Sequence, residues 1–247
     1  MAYEKKKYDS TVNVVGSIPD YRLMIDYIID ILTGAGDNDA FVFRTTKATT
    51  RFRKAVADGF LDFHSESHKD IFINSLKSGE ISTEEKLLVL FWQFIFCNRL
   101  FREITENVFL RLLYSGRTVI ETQDVEAYLR HLKKEYPEEI GFSDTTLRTI
   151  ASKYLTVIRK FGLAEGRGRK ELRPPHISSR MFVSLVYLAL GACPEDKGLD
   201  NPMFRYSFLD RQSMIARLKS IDNIRFWDIT QIGNDITINL KRHEREI

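Results

Sequence analysis

Residues 147–173 read LRTIASKYLTVIRKFGLAEGRGRKELR, and this stretch decides the fold prediction. Up to Phe161 the apolar residues recur at helical spacing, and at 100° per residue they fall on one continuous arc. Gly162 then ends the helical pattern, and a basic turn at 166–169 lies between two short segments that could pair as strands. The pattern therefore predicts a helix followed by a β-hairpin. The apolar arc comprises Leu147, Ile150, Ala151, Tyr154, Leu155, Val157, Ile158 and Phe161.

The opposite arc of the same helix is cationic and rich in hydroxyl groups, and it contains no acidic residue. From Arg148 to Arg173 the chain has eight basic and two acidic residues, a local net charge of +6 in a chain whose total is +3. An ordinary solvated face mixes both signs, because opposite charges one turn apart stabilise a helix slightly. The pattern favours a surface for an anionic partner, with an ordinary solvated face as the alternative. The arc consists of Arg148, Thr149, Ser152, Lys153, Thr156, Arg159 and Lys160.

A cationic helix followed by a basic two-stranded turn is typical of a winged helix. In that motif the helix enters the major groove of DNA, and the turn, or wing, touches the adjacent backbone. Arginine and lysine supply the phosphate contacts, and serine and threonine hydroxyls add neutral ones. The predicted DNA-binding residues of this region are Arg148, Thr149, Ser152, Lys153, Arg167, Arg169, Lys170 and Arg173.

A second basic patch lies at residues 44–54, where four threonines alternate with the basic residues and no acid occurs between Asp39 and Asp58. We hypothesise that this patch makes a second contact with the DNA backbone. An exposed strand-to-helix segment with ordinary surface charge is the other interpretation, and the sequence does not separate the two. The basic residues of the patch are Arg44, Lys47, Arg51, Arg53 and Lys54.

The rest of the chain predicts a mostly α-helical protein. A helical N-terminal domain at 1–116 is expected to precede a winged-helix-like C-terminal domain at 117–247, which contains two short β-hairpins. Ser82-Thr-Glu-Glu85 has the pattern of a capping box at the start of a long helix. The predicted helices span about 19–33, 66–77, 82–114 with a break near Asn98, 122–134, 144–161, 179–190 and 210–220, and the hairpins span 163–173 and 224–240.

The sequence contains no motif that indicates catalysis. It has no phosphate-binding loop of the G-x-x-x-x-G-K form, and its carboxylates are scattered. His64 and His68 are one helical turn apart, but zinc needs a third ligand, so we interpret them as surface residues of a short helix. We therefore expect a protein that is not an enzyme, with no catalytic residue, metal, cofactor or small-molecule substrate.

The composition indicates a soluble protein with a proper core. Its 247 residues are 43% hydrophobic and 29% charged, which excludes a disordered chain. The longest apolar run, Leu87–Cys97, is interrupted by Gln93 and is too short for a membrane span of about 20 residues. Two cysteines are too few for a disulfide framework. With no secretory signal at the start, we expect a cytoplasmic protein without a membrane partner.

The order of motifs over residues 15–195 resembles the BrxA family, an accessory component of bacterial BREX phage-resistance systems. The shared motifs are patterns of apolar and turn residues, so they transfer no catalytic residue to this chain. The motifs are FWQFIFCNRLF at 91–101, in an apolar helix that begins at Leu87, then FLRLL at 109–113, FSDTTL at 142–147, IRKFGLA at 158–164 and RPPHI at 173–177.

The resemblance implies a small, mostly helical, non-enzymatic protein that binds double-stranded DNA and works with other proteins of a defence complex. The family is also similar in fold to the antitermination protein NusB, so an RNA-binding helical protein is an alternative. A-form RNA hides its major groove from a helix, and a true recognition helix should therefore prefer B-form DNA. A third interpretation is an adaptor whose basic arc docks on an acidic protein.

Overall fold

The protein is mostly helical in its computed structural model, which describes residues 7–34, 43–167 and 169–241. The described chain contains a π-helical segment, Thr105–Leu110, and a 3-10 helix, Pro202–Ser207. The helices are α1 (Thr11–Val15), α2 (Tyr21–Thr33), α3 (Thr46–Phe60), α4 (Glu66–Lys77), α5 (Thr83–Cys97), α6 (Arg99–Ile104), α7 (Arg111–Tyr114), α8 (Thr122–Glu135), α9 (Asp144–Lys160), α10 (Ser179–Ala192) and α11 (Arg211–Leu218). The strands are β1 (Val119–Ile120), β2 (Ala164–Glu165), β3 (Lys170–Leu172), β4 (Trp227–Ile232) and β5 (Asp235–Leu240).

The chain forms two compact units. The first contains the described chain up to Asp62 together with Gln93–Pro174, and the second contains the remainder. Helix α5 crosses the division, which falls between Trp92 and Gln93. The domain boundary predicted between residues 116 and 117 separates two parts of the chain that are expected to fold independently. The division into compact units does not test independent folding, so this boundary stays a prediction.

Helix α9 is central to the first unit because its apolar arc is buried over the whole helix. All eight residues predicted for this arc are buried, which confirms the helical periodicity read from the sequence. The Phe101 ring packs on Tyr154 and Phe161, with centroids 5.4 and 6.2 Å apart. Helices α1 and α8 both pack on α9. Removing this much apolar surface from water, at about 25 cal/mol per Å², is the main stabilisation of the unit.

A buried hydroxyl pair links α9 to the helical segment beside it. The Tyr154 hydroxyl donates a hydrogen bond to Thr105 Oγ1 at 3.1 Å, and Thr105 donates to the Phe101 carbonyl at 2.7 Å. Both hydroxyl groups are inaccessible to water. Because a buried polar group without a partner is costly, this chain of bonds fixes the position of α9 on the segment that begins at Thr105.

A small three-stranded sheet lies at the end of α9. Strands β2 and β3 form the predicted hairpin, with Ala164 opposite Leu172. Strand β1, which comes before α8 in the chain, pairs with the other edge of β3 and places Val119 opposite Glu171. The order in the sheet is therefore β1-β3-β2, and all neighbours are antiparallel.

The second unit packs α10 on α4. A Cβ atom at Gly191 would lie 3.3 Å from the His68 Cα, so glycine allows the two helices to approach closely. Strands β4 and β5 form a hairpin, and the Trp227 indole at its start donates a hydrogen bond to the Leu218 carbonyl at 2.9 Å. The hairpin turn is at Gly233, whose φ of +61° suits glycine.

The structure confirms the mostly helical fold, both hairpins and the predicted helices, whose ends agree within about two residues. The capping box is also present, since the Ser82 N–H donates to Glu85 Oε2 at 2.8 Å and the Glu85 N–H to Ser82 Oγ at 3.2 Å. Helices α1 and α3 and strand β1 were not predicted. Helix α3 occupies the threonine-rich segment, where β-branched residues weaken the helical signal.

Replacing Tyr154 by Phe removes the hydroxyl bonded to Thr105 and leaves a buried acceptor unpaired. We expect a loss of about 1 kcal/mol of stability, which in a protein of this size lowers the melting temperature by about 2–4 °C. Tyr136→Phe is the matched control, because the Tyr136 side chain is partly exposed. Equal melting temperatures for the two variants, measured by circular dichroism, would contradict this account of the α9 anchor.

Candidate nucleic-acid interface

The two ends of α9 are fixed by local chemistry. The Ser143 hydroxyl accepts a hydrogen bond from the Thr146 N–H at 3.2 Å and caps the first turn. Asp144 lies in the first turn and Arg159 in the last, which suits the helix dipole. Gly162, with a φ of +77°, then redirects the chain into β2. The helix is therefore positioned so that its cationic arc and the basic turn are close in sequence and in the fold.

The cationic arc of α9 is mostly on the surface, as the sequence predicts. The Thr149 hydroxyl donates to the Thr145 carbonyl at 2.9 Å, and the Thr156 hydroxyl to the Ser152 carbonyl at 3.1 Å. A DNA phosphate can only accept a hydrogen bond from these hydroxyl groups. It would therefore compete with the backbone carbonyls to which the hydroxyl groups donate. Arg148, Thr149, Ser152 and Arg159 are exposed, and Lys153 and Thr156 are partly exposed.

Lys160 does not share this orientation toward solvent. Its ammonium group donates hydrogen bonds to the carbonyls of Gly16, at 3.3 Å, and Ile18. Burial, with help from the nearby positive charges of Arg159 and Lys153, lowers the pKa of Lys160 below its usual value. Lys160 therefore ties the end of α9 to the segment that follows α1.

The turn between β2 and β3 presents two exposed arginines. Gly166 has a φ of +90°, and a Cβ atom there would lie 2.6 Å from the Arg169 carbonyl oxygen, so the turn requires glycine. Arg167 and Arg169 are both exposed. The turn therefore carries two side chains that can reach a phosphate outside the protein.

Lys170 is placed differently from the prediction. It is only 5% exposed, and its ammonium group donates to the carbonyls of Gly166, at 2.8 Å, and Arg167. Burial, and then the charge of Arg159, lowers the pKa of Lys170. In β3 the side chains of Lys170 and Leu172 point inward and Glu171 points outward. The prediction from the sequence counted basic residues and did not consider that side chains alternate between the two faces of a strand. The Lys170 ammonium group therefore stabilises the turn and does not extend from it into solvent.

Carboxylates from other elements neutralise much of the basic surface. Glu126 Oε1, on α8, lies 3.3 Å from Arg148 Nε and 2.6 Å from an Arg130 guanidinium nitrogen. Glu121, just before α8, lies 3.0 Å from Arg169 Nε. The arc of α9 has no acid of its own, as predicted, but its neighbour supplies one. Helical periodicity within α9 could not have found this pairing.

Arg173 has two carboxylate partners on its own small sheet. Its guanidinium group lies 3.3 Å from Glu165 and 3.1 Å from Glu171, and these acids flank it on the same small sheet. The side chain is about half exposed, so the pairs are screened by water and easily exchanged. Arg173 therefore remains accessible to a competing anion.

The second basic patch lies in the N-terminal half of α3, except for Arg44, which precedes the helix. The Thr45 hydroxyl caps this helix by accepting from the Ala48 N–H at 3.2 Å. Lys54 is paired with Asp58 at 2.9 Å on the next turn. The patch therefore extends along one helix of the first unit, which also contains α9. Arg44, Lys47, Arg51 and Lys54 are exposed, and Arg53 is partly exposed.

Helix α1 and the segment after it connect the two patches. Helix α1 packs on both α3 and α9. At Gly16 a Cβ atom would lie 3.0 Å from the Lys153 Cβ, so glycine permits close packing on α9. On the α3 side, Ile18 and Arg51 line a cavity of about 180 Å³. The same short segment therefore contacts Lys160 of α9 and shares a cavity with Arg51 of α3.

The described residues contain no group of three or more His, Cys, Asp or Glu side chains that could hold a metal ion. The histidine interpretation needs correction, because His68 is buried and not a surface residue. Its Nδ1 accepts a hydrogen bond from the His64 N–H at 3.3 Å. Both cysteines are buried free thiols. No helix in the described parts of the chain is long and apolar enough to span a membrane.

Comparison with known proteins gives one match. The family model described as BrxA matches residues 67–186, a span that includes α8, α9 and the basic turn. No curated protein and no solved structure is significantly similar to the chain. The match confirms the resemblance carried by the apolar and turn motifs between residues 91 and 177. Residues 67–186 are therefore similar to the BrxA family, whose members belong to bacterial BREX phage-resistance systems.

Proposed function

We propose that the protein is a non-enzymatic, duplex-DNA-binding accessory component of a BREX defence system. Helix α9 enters the major groove, and the turn at 166–169 contacts the adjacent phosphate backbone. The observation that carries the proposal is the exposed cationic arc of α9, which ends beside a turn with two exposed arginines. Phosphate contacts of this kind supply most of the affinity of a sequence-tolerant DNA-binding protein.

The order of elements supports a winged-helix module. A helical segment that ends at Tyr114 is followed by β1, α8, α9, β2, the turn and β3, and the sheet order is β1-β3-β2. In this arrangement the second helix after β1 is the recognition helix, and the turn between the last two strands is the wing. Helix α9 has the cationic arc, and α8 has the acid that pairs with it. The charge distribution therefore supports α9 as the proposed recognition helix.

The contact set follows from exposure. Arg148, Lys153, Arg167, Arg169 and Arg173 keep the roles predicted from the sequence, and Thr149 and Ser152 remain neutral contacts. The described part of the chain adds Arg159, which is exposed at the end of α9. Lys170 is removed from the set because its ammonium group is bonded to the turn. DNA phosphates would replace Glu126 and Glu121 as partners of Arg148 and Arg169.

Helix α3 supplies a second, weaker contact in this proposal. Lys47 and Arg51 are one turn apart and exposed, so both can face the same strand of a duplex. Lys54 is partly neutralised by Asp58. The patch therefore extends the footprint of the first unit along the backbone without reading bases.

A titration of binding against salt concentration tests the proposal and its alternatives together. Duplex DNA, single-stranded DNA and RNA of matched length are the ligands. We expect the duplex to bind best, with log K falling linearly as log salt rises. Preference for RNA would favour the NusB-like alternative, since A-form RNA excludes a helix from its major groove. No binding to any nucleic acid at low salt would favour the adaptor.

The proposal places the protein in the cytoplasm, together with other proteins of the defence complex and the DNA. It assigns no catalytic step, so the purified protein should neither cleave nucleic acid nor hydrolyse nucleotides. Turnover abolished by a point substitution in this chain would overturn that part of the proposal. The defence association rests on the BrxA match, and DNA binding rests on the surface of α9.

Replacing Arg167 and Arg169 together by Ala removes two proposed phosphate contacts from the turn. Each neutralised phosphate contributes about 0.9 to the salt slope, so the slope should flatten by roughly 2. The loss of affinity should be similar for unrelated sequences, because phosphate contacts have no base information. Lys77→Ala with Lys197→Ala, both exposed in the second unit, removes the same charge as a control. A slope equal to that of the wild type in the arginine variant would contradict the wing contact.

Replacing Glu126 by Gln removes the internal partner of Arg148 and Arg130. We expect tighter DNA binding at low salt by up to about fivefold, since a surface ion pair stabilises by at most about 1 kcal/mol. Glu135→Gln is the control on the same helix, because His131, at 3.6 Å, is the one charged partner of Glu135 among the described residues. Binding isotherms by fluorescence anisotropy measure both. Weaker binding by Glu126→Gln would show that Arg148 does not exchange partners with DNA.

A further inference from the structure

The second unit contains a small cavity between the start of α10 and the loop that leads to β4. Its volume is about 220 Å³, and residues of both segments line it. Val183, on the first turns of α10, and Phe226, at the end of the loop, are buried and give the cavity an apolar wall. All the residues that line the cavity belong to the second unit.

A buried acceptor in this cavity has no partner. Asn223 is only 3% exposed, and its Nδ2 donates a hydrogen bond to the Arg217 carbonyl at 2.9 Å, which fixes the orientation of the amide. No described residue donates to the Asn223 Oδ1. This oxygen is not sealed in the interior, so it opens on the cavity that Asn223 lines. Because buried polar groups are nearly always hydrogen-bonded, Oδ1 indicates a donor that comes from a molecule in the cavity.

The start of α10 offers the complementary chemistry, because two of its backbone N–H groups are unused. The Ser178 hydroxyl accepts from the Met181 N–H at 3.2 Å, and the Ser178 carbonyl accepts from the Phe182 N–H at 2.9 Å. The N–H groups of Ser179 and Arg180 have no partner among the described residues. Together with the helix dipole, these two donors favour a carboxylate or another anion.

The charged side chains around the cavity are of both signs. Arg180 and Arg225 are exposed, and Arg180 also pairs with Glu80. Asp222 lines the cavity as an exposed carboxylate. A fully ionised phosphate would face the charge of Asp222 and would offer no donor to Asn223. A single carboxylate next to an N–H group fits this mixture of donors and acceptors better.

Two exposed isoleucines lie on either side of Asn223 in the same loop. Ile221 is 87% exposed and Ile224 is 48% exposed, which is unusual for isoleucine. Exposed apolar side chains beside polar groups mark surfaces that bind other proteins or ligands. The loop therefore offers apolar contacts next to the cavity as well as the polar groups within it.

We propose that this cavity binds the C-terminal residue of a partner protein. The carboxylate of that residue accepts hydrogen bonds from the N–H groups of Ser179 and Arg180, and its backbone N–H donates to Asn223 Oδ1. Both groups are bonded to the same carbon atom, so one residue meets both needs. Its apolar side chain packs on Val183 and Phe226. Capture of a terminal carboxylate by backbone N–H groups is a general mode of peptide recognition. This site is independent of the proposed DNA binding.

Fluorescence anisotropy with peptides and the full chain tests the site. The probe is a dye-labelled peptide of alanine residues that ends in leucine with a free carboxylate. The same peptide with a C-terminal amide lacks the charge, and a version with N-methyl leucine lacks the donor for Asn223. We expect each modified peptide to bind about tenfold more weakly than the probe, because each loses a hydrogen bond to a group that is charged or buried.

Substitution of Ser179 tests the position of the carboxylate. Ser179 is exposed and lines the cavity, so Ser179→Glu places a negative charge beside that of the ligand. We expect binding of the probe to weaken by about tenfold or more. An acid in the first turn suits the helix dipole, so the variant should remain folded. Ser179→Gln is the matched control of similar size without charge, and it should bind as the wild type does.

The site is supported if the probe binds saturably and if the amide, the N-methyl group and Ser179→Glu each weaken binding. Circular dichroism checks that both variants fold. Equal binding of the carboxylate and amide peptides would overturn the proposal, and so would equal binding by the two Ser179 variants. Displacement of the probe by inorganic phosphate at the same concentration would assign the cavity to a phosphate ligand instead. A wild type that binds no probe at the highest soluble peptide concentration would also contradict the proposal.

Discussion

The burial of the apolar arc of α9 is the constraint on which the rest of the first unit depends. Once Ile150, Tyr154 and Ile158 are buried, the opposite side of the helix must face water, and its residues determine what it can bind. The buried hydroxyl pair of Tyr154 and Thr105 fixes the helix against sliding or rotation. The position of the basic turn follows, because only a glycine break and a few residues separate it from the helix.

Part of the charge of the candidate interface is neutralised within the protein. Arg148 and Arg169 have carboxylate partners 3.3 and 3.0 Å away, on residues that precede or form α8. Exposed ion pairs stabilise a fold little, and a polyanion can replace them at small cost. Glu126 and Glu121 make the electrostatic potential of this surface less positive. This lowers its affinity for any anion whose shape does not match the surface. The proposed DNA binding would therefore be moderate and salt-dependent.

The BrxA match and the surface of α9 support different parts of the functional conclusion. The match relates the chain to phage-resistance systems and includes the α8–α9 region, but apolar motifs dominate the resemblance. The proposed DNA contacts rest on the exposure and charge of side chains between these motifs.

The sequence by itself determined most of the local structure and the two basic patches. Helical periodicity, the capping box and the glycine breaks depend on residues within a few positions of each other, so they can be read without a structure. The tertiary structure decided which basic side chains are available. Lys170 is bonded to its own turn, Lys160 is bonded to the segment after α1, and Arg148 is paired with an acid 22 residues away. These contacts depend on how distant segments pack, and periodicity within one helix contains no information about them.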